Sequence, residues 1–276
     1  MLACKRHKPA GPAAPESAKV APQARGVVLF GVAATRAGGG GGCVAAGGPG
    51  AAKGSITAVE TLAFILHNLP IIGERTLEHI SIVSVAVGFA IVTGVPIGIA
   101  ITQSQRTADT VLYLGSIVMT IPSIALFGVL IPILSKIGQG IGWLPAVIAA
   151  MLYAQLPIIR NTYTAIRNVD PALRSAAIGM GMSAPGRLLR VEIPIALPVI
   201  IAGIRIAVVI NIGVTAIAAY IGAGGLGTFI SRGISQTDIR QLITGALALG
   251  LLAIAADYSL LWLQRRLTPK GLSSAT

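Results

Sequence analysis

The sequence predicts an all-α, polytopic membrane protein with about five transmembrane helices, and three observations predict it. Hydrophobic residues make up 54% of the 276 residues and charged residues only 11%, whereas an ordinary soluble domain has about 25% charged residues. The mean hydropathy is +0.82. Five separate apolar stretches each reach the length of about 20 residues that a helix needs to cross about 30 Å of hydrocarbon.

The first part of the chain does not share this pattern. Residues 1–54 are rich in Ala, Gly and Pro, contain a run of glycines at 38–42 and hold seven of the 21 Lys and Arg residues. We therefore expect a low-complexity N-terminal extension, either disordered or spurious, outside the functional domain. Both cysteines, Cys4 and Cys43, lie in it without a histidine cluster of metal-binding spacing. Neither a disulfide nor a metal site is predicted.

The predicted membrane domain follows a short apolar segment. Residues 55–75 are interrupted by Glu60, His67 and Pro70, so we predict an interfacial helix there rather than a span. Residues 76–268 form the membrane domain. The five predicted spans within it are residues 77–101, 110–134, 141–159, 196–221 and 241–263.

The distribution of Lys and Arg predicts how the spans are oriented. The connection between the third and fourth spans holds five arginines, from Arg160 to Arg190. This connection, with its loop at about residues 165–195, is therefore expected in the cytoplasm. Alternation then places nine Lys and Arg inside and three outside, with the C-terminus cytoplasmic and the basic N-terminus outside, on its unfavoured side. The net charge of +12 reflects these loops and the tail. Because no basic face is interleaved with aromatic residues, nucleic acid is not a predicted partner.

The connection between the third and fourth spans has the signals of two short helices. Asp170, followed by proline, is a favoured helix start, so we predict a helix over residues 171–180 that ends at Gly181. Ser183 is expected to cap a second short helix, which Pro194 ends.

The first of these helices carries small residues at helical spacing. Ala172, Ala176 and Gly179 form one set, and Ala177 and Gly181 form a second pair. Small residues let another surface approach closely, which makes the segment a candidate docking element. An ordinary amphipathic loop at the bilayer surface is the alternative.

The same stretch resembles the EAA coupling loop of bacterial ABC importer permeases. That pattern is Glu-Ala-Ala, three residues, Gly, nine residues, and then Ile-x-Leu-Pro. The spacing matches throughout, although serine stands where the family has Glu. The corresponding positions are Ser175, Ala176, Ala177, Gly181, Val191, Ile193 and Pro194.

The resemblance extends over about residues 60–265. Four segments are similar to the osmoprotectant branch of that family, which carries glycine betaine, carnitine and choline. They are residues 120–134, 156–171, 197–213 and 221–227. It implies a MetI-like ABC importer transmembrane domain in a bacterial plasma (inner) membrane. It also implies that separate ATPase subunits bind ATP and dock at the coupling loop, so this chain needs no cofactor. An extracytoplasmic binding protein would deliver the substrate. A second permease subunit, identical or similar, would complete the pathway among the membrane lipids.

Several residues in or near the spans are candidate pathway or gate residues. Asn211 and Thr215 lie one turn apart in the fourth span, where polar side chains mark either a pathway or an interhelical hydrogen bond. Pro122 and Ser123 mark a candidate break in the second span, and broken helices often line a cavity. In similar permeases the turn after the fourth span lies at the outer gate. Its glycines allow sharp bending and are Gly222, Gly224, Gly225 and Gly227.

Two charged residues bear on the alternative function, a self-sufficient secondary carrier or channel for a small polar solute. Arg205 is expected to have a structural role, such as pairing with a carboxylate. Asp257 lies about two turns before Arg265, far from the midplane where the ion site of a carrier is expected. A membrane assembly subunit without transport is a third possibility. The sequence contains neither an ATPase motif nor a nucleophile–base constellation, so no enzymatic activity and no catalytic residue are predicted.

Overall fold

A computed structural model describes residues 50–268 of the protein, and every regular element within that range is helical. The predicted extension at residues 1–54 lies outside the described residues, apart from the first turn of α1. A π-helical turn, Leu188–Glu192, joins α7 to α8. The helices are α1 (Gly50–His67), α2 (Leu69–Ala100), α3 (Gln105–Thr120), α4 (Ser123–Ser135), α5 (Trp143–Arg167), α6 (Pro171–Gly179), α7 (Ala184–Arg187), α8 (Ile193–Ala218), α9 (Gly227–Gln236) and α10 (Ile239–Leu267).

Four helical segments are long and apolar enough to cross a membrane, and a bent pair supplies the material for a fifth crossing. The pair is α3 and α4, whose axes meet at 96°. The second predicted span, residues 110–134, is therefore not one continuous helix. The four long segments are Leu69–Gln103, Trp143–Arg167, Ala184–Ile221 and Ile239–Leu267.

The packing of α2 against α5 shows why the bent pair counts as a crossing. A Cβ at Gly94 of α2 would lie 3.0 Å from the Ile158 side chain of α5, and one at Gly98 would lie 2.6 Å from Cβ of Thr162. Residue numbers therefore increase together along the contact, and the two helices run parallel. Because α3 and α4 connect the end of α2 to the start of α5, they must return the chain along the length of the bundle.

Helices α2, α5 and α8 form the centre of the bundle, and small residues allow their close approach. Ala86, Ala90, Ala154 and Ala207 are fully buried in two adjoining apolar clusters. Gly203 of α8 is packed against α5 so tightly that a Cβ would lie 2.5 Å from Cβ of Asn161. Helix α10 packs on the outside of α8 and α9.

The helix that contains Pro194 differs from the prediction. Helix α7, the π-helical turn, α8 and a closing 3-10 turn, Ala219–Ile221, form one helical segment of 38 residues, Ala184–Ile221, so Pro194 does not end a helix. Proline lacks an N–H and removes one i→i−4 hydrogen bond. The π-helical turn directly before it, in which the Ile193 N–H donates to the Leu188 carbonyl, accommodates this loss. Ser183 precedes the segment but makes no side-chain capping hydrogen bond.

Two further boundaries differ from the prediction. The predicted interfacial segment, residues 55–75, is divided between α1 and the start of α2, which begins one residue after Asn68. The Asn68 side chain donates to the Phe64 carbonyl at 2.8 Å and closes α1, and Pro70 then stands in the first turn of α2, where proline is favoured. The short helix α9 was not predicted, because its ten residues carry no span-length apolar run.

Candidate coupling segment, glycine loop and pathway residues

The first part of the connection between α5 and α8 forms a short helix, α6, that lies outside the long membrane segments. Asp170 accepts a hydrogen bond from the Ala172 N–H at 2.8 Å, and α6 begins at the next residue, as predicted. Gly181 follows α6 with φ of +76°, a left-handed conformation that ends helices and that glycine adopts without strain. The segment is therefore a capped and terminated helix.

The outward surface of this segment is small and apolar. Ser175, Ala176 and Gly181 are exposed. Large apolar side chains are also exposed along the spans, where lipid covers them. On a segment outside the spans, exposed apolar side chains are typical of a surface that binds another protein. The large ones here, with their exposed fractions, are Leu173 (43%), Ile178 (56%), Met180 (68%) and Leu189 (65%).

The other predicted coupling residues face inward. Ala177 is fully buried beneath α6, while Val191, Ile193 and Pro194 are half-buried in the π-helical turn and the start of α8. The small-residue pattern thus has two parts: one part is available to a partner, and Ala177 allows α6 to lie close to the rest of the protein.

A charged cluster, which we call the clamp, holds the segment together. It consists of Arg174, Arg187 and Glu192. Nε of Arg187 donates to Oε1 of Glu192 at 2.8 Å, and Nε of Arg174 lies 3.5 Å from the same oxygen. The Arg174 guanidinium also donates to the Ile166 carbonyl in the last turn of α5. The clamp therefore links α5, α6, α7 and the π-helical turn.

At the opposite end of α8 lies a glycine loop, residues 222–227. Gly222, Gly224 and Gly225 have φ of +77°, +81° and +74°, so these positions favour glycine. The Gly225 N–H donates to Oε2 of Glu78 at 2.9 Å, and Glu78 is paired with Arg75 at 2.8 Å. A carboxylate on α2 therefore holds the glycine loop.

The glycine loop also packs against a buried histidine. His79 is fully buried, and its Nε2 donates to the Ile212 carbonyl of α8 at 3.1 Å. A Cβ at Gly225 would lie 3.0 Å from Nδ1 of His79. Gly227 is equally restricted, since a Cβ there would lie 2.0 Å from the Ala216 carbonyl oxygen. The glycines thus serve both backbone conformation and close packing.

The break between α3 and α4 lies where Pro122 and Ser123 were predicted to mark one. Ile121 is extended, with ψ of 123°, as expected for a residue before proline. The Ile121 carbonyl accepts a hydrogen bond from the Tyr153 hydroxyl of α5. This bond satisfies a backbone group at the break, which is the condition for a broken helix within a membrane.

Asn211 and Thr215 lie inside the protomer. Both side chains are essentially excluded from solvent, and the Asn211 amide donates to the Ala207 carbonyl of its own helix at 2.9 Å. Oδ1 of Asn211 and Oγ1 of Thr215 have no hydrogen-bond partner among the described residues. Because neither side chain lines an open surface of this protomer, their role in a pathway stays a prediction.

Arg205 pairs with a carboxylate, as its predicted structural role requires. Its Nε lies 2.7 Å from Oδ1 of Asp257, and its Nη1 donates to Oε1 of Gln264 at 3.1 Å. The pair joins α8 to α10. Asp257 is therefore engaged in an ion pair between helices, which disfavours its use as the ion site of a secondary carrier.

Sequence reasoning missed four residues that organise these features: Glu78, His79, Tyr153 and Glu192. Tyr153 is a hydroxyl side chain within a largely apolar stretch, which predicts that a partner exists but not which one. Glu78, His79 and Glu192 have charged neighbours in the sequence, so they give no such signal. Within residues 58–268, no group of three or more His, Cys, Asp and Glu side chains is placed to hold a metal ion.

Comparison with known proteins assigns the arrangement to a family. Residues 91–271 match the family described as binding-protein-dependent transport system inner membrane component. The osmoprotectant import permease protein OsmW of Salmonella typhimurium (strain LT2) is 53% identical over 214 residues, which cover 78% of this chain and 100% of that protein.

Two permease proteins of Bacillus subtilis (strain 168) that share one description are also similar. The glycine betaine/carnitine/choline transport system permease protein OpuCB is 40% identical, covering 72% of this chain and 89% of that protein. The corresponding protein OpuCD is 41% identical, covering 66% of this chain and 77% of that protein.

A solved structure shows the same fold. A chain in the inward-facing native crystal form of the MetNI methionine ABC transporter has a TM-score of 0.67 and 23% identity, covering 73% of this chain and 98% of that chain. The predicted all-helical importer fold is confirmed, and so is the predicted resemblance. The permease subunit of such an ABC importer is not itself an enzyme and works with a separate ATPase and a binding protein. The chain belongs to the family of binding-protein-dependent transport system inner membrane components, and it is a multi-pass permease subunit of this kind.

Proposed function

We propose that the chain forms part of the pathway by which a quaternary-amine osmoprotectant, such as glycine betaine, carnitine or choline, enters the cell. Two relatives support this substrate class: the osmoprotectant import permease protein of Salmonella, at 53% identity, and the glycine betaine/carnitine/choline permease protein of Bacillus, at 40% identity. A second permease subunit completes the pathway. Two Bacillus permease proteins that share the description glycine betaine/carnitine/choline transport system permease both resemble this chain, which supports a similar partner as well as a second copy.

The ATPase docks at the coupling segment, residues 175–194. The observation that carries this proposal is the exposed small and apolar surface of α6, on a capped helix that the clamp holds in place. Ser175 stands at the family's Glu position, so polar recognition there uses a hydroxyl group. This end of the bundle also carries Arg265 and Arg266 at the end of α10, which supports a cytoplasmic location for it and for the C-terminus, with the N-terminus outside.

Reconstitution tests the transport function. The permease is placed in proteoliposomes with its ATPase and its binding protein, and uptake of radiolabelled glycine betaine, carnitine and choline is measured. We expect uptake that requires ATP and the binding protein. Proteoliposomes that contain the permease alone are the control, and uptake there without ATP would support the secondary carrier or channel instead.

A matched pair of glycine variants tests docking. Gly181 and Gly138 are both exposed, both have positive φ (+76° and +73°) and neither has any atom within 4 Å of an added Cβ, but only Gly181 lies in the coupling segment. We expect Gly181→Asp to insert normally and to lose copurification of the ATPase, because a charged group is introduced into an apolar contact. Gly138→Asp, which carries the same backbone strain, should keep copurification. Equal copurification with both variants would contradict docking at this segment.

A further inference from the structure

Glu192 occupies an unusual position in the coupling segment. It is 6% exposed, and it is the one Asp or Glu among residues 58–268 that is buried. A buried carboxylate is costly unless it is paired. Two arginines face the same oxygen, Oε1: Arg187 at 2.8 Å and Arg174 at 3.5 Å. The side chains of Arg187 and Arg174 are 26% and 29% exposed. Glu192 is therefore the buried residue of the clamp, and both arginines contact it.

The clamp joins the docking surface to a spanning helix. Arg174 belongs to α6, whose outward face carries Ser175 and Ala176. Glu192 is the last residue of the π-helical turn and directly precedes α8. π-Helical turns are rare interruptions of α-helices and are frequent at functional sites. A displacement of α6 therefore reaches α8 through a charged contact at the point where the helix is least regular.

The helix that receives this displacement reaches the far end of the molecule. The segment Ala184–Ile221 has 38 residues, which is about 57 Å at 1.5 Å per residue. It begins beside the exposed surface of α6, contains Asn211 and Thr215, and ends directly at the glycine loop. One continuous element thus connects the proposed ATPase contact with the loop that Glu78 holds.

We propose that Glu192 is the positioning residue that couples movement of the docked ATPase to this helix. This inference rests on the proposed docking at residues 175–194. Glu192 itself is enclosed, so its charge acts through Arg174 and Arg187 and not by contact with the ATPase. Removal of the Glu192 charge should separate two properties that otherwise change together. The ATPase should stay bound, but its hydrolytic cycle should no longer move α8.

The test uses the complete importer in proteoliposomes with the Glu192→Gln variant, which keeps the side-chain shape and removes the charge. We expect copurification of the ATPase at the wild-type level, a fall in glycine betaine uptake of about tenfold, and a corresponding rise in ATP hydrolysed per molecule transported, since coupling energies between sites are commonly 5–150-fold. A purely structural role would lower uptake and copurification together, and that result would overturn the proposal. Wild-type uptake by Glu192→Gln would also overturn it.

A second pair of variants tests the clamp if Glu192→Gln fails to insert. Arg187→Lys keeps a positive charge near Glu192, whereas Arg187→Gln removes it and leaves Arg174. We expect more ATP per transported molecule with Arg187→Gln and a ratio near the wild-type value with Arg187→Lys. Equal ratios for the two would overturn the proposal. The Gly181→Asp variant in the same assay reports docking separately: if it copurifies normally, the docking proposal fails, whatever the Glu192 variant does.

Discussion

At the scale of single residues, the buried polar groups carry the clearest consequences. Tyr153 is buried in α5, and its hydroxyl donates to the Ile121 carbonyl at the break between α3 and α4. Water does not reach such a group within a bilayer, so the protein itself must supply the partner. The hydroxyl therefore stabilises the bend and not only the apolar core.

Tyr153→Phe should destabilise the protein by about 1–3 kcal/mol, because it leaves the Ile121 carbonyl without its donor. The free energy of unfolding is measured by SDS titration in mixed micelles. Tyr163→Phe is the matched control, since the Tyr163 hydroxyl donates to an exposed glutamine, Gln105, at 3.0 Å, and its loss should change stability by less than about 0.5 kcal/mol. Equal effects from the two variants would contradict a special role for the bond at the break.

The residues that organise the two ends of the molecule could not be identified from the sequence alone, for a physical reason. Glu78 binds the Gly225 amide across 147 positions of the chain, and tertiary contacts of that separation leave no local pattern. Asp170 was predictable because a helix cap acts within two residues of itself. The proposed coupling positions 175–194 came from the resemblance of their spacing to a family pattern, but the burial of Ala177 depends on packing that spacing does not describe.

At the scale of elements, apolar length predicted the number of crossings better than it predicted their form. Hydrocarbon thickness constrains span length, so four of the five predicted spans correspond to long helical segments. Proline was less informative, because its effect depends on its neighbours. Pro122 breaks a helix where Tyr153 satisfies the freed carbonyl, whereas Pro194 is absorbed by a π-helical turn.

The contact between α5 and α8 depends on Gly203. We expect Gly203→Ala to destabilise the protein by about 1–3 kcal/mol, since overpacking a tight contact costs that amount, and a Cβ at this position would lie 2.5 Å from Cβ of Asn161. Gly213, on the same helix, has nothing within 4 Å of an added Cβ. Gly213→Ala should therefore be neutral or stabilising by up to about 1 kcal/mol. Both are compared by SDS titration, and equal destabilisation would refute the packing argument.

The glycine loop should loosen when Glu78 loses its charge. A hydrogen bond to a charged group is stronger than one to a neutral group by about 1 kcal/mol, so Glu78→Gln should speed hydrogen exchange at the Gly225 amide about fivefold. Exchange is followed by mass spectrometry on peptides that cover residues 222–227. Glu74→Gln, which alters an exposed carboxylate one turn earlier on α2, is the control. Faster exchange in that variant too would show a general effect of charge.

At the scale of the whole molecule, the helix directions place the basic residues unevenly. Helices α2 and α5 are parallel, and α8 packs antiparallel to α5. One end of the bundle therefore holds the C-terminal ends of α2, α5 and α10 and the N-terminal ends of α3 and α8. Arg160, Arg167, Arg265 and Arg266 lie at that end together with the clamp arginines. The opposite end has fewer basic residues among those described: Arg75, Lys136, Arg232 and Arg240. This asymmetry predicts that the end with α6 faces the cytoplasm.

Cysteine labelling in spheroplasts tests this orientation. The native cysteines, Cys4 and Cys43, are replaced by serine, and a single cysteine is introduced at Ser183 beside α7 or at Gln139 between α4 and α5, both of which are exposed. A membrane-impermeant maleimide should label Gln139→Cys in intact spheroplasts and Ser183→Cys only after lysis. Labelling of Ser183→Cys before lysis would place the coupling segment outside the cell, where no ATPase could reach it, and would invalidate the docking proposal together with the orientation.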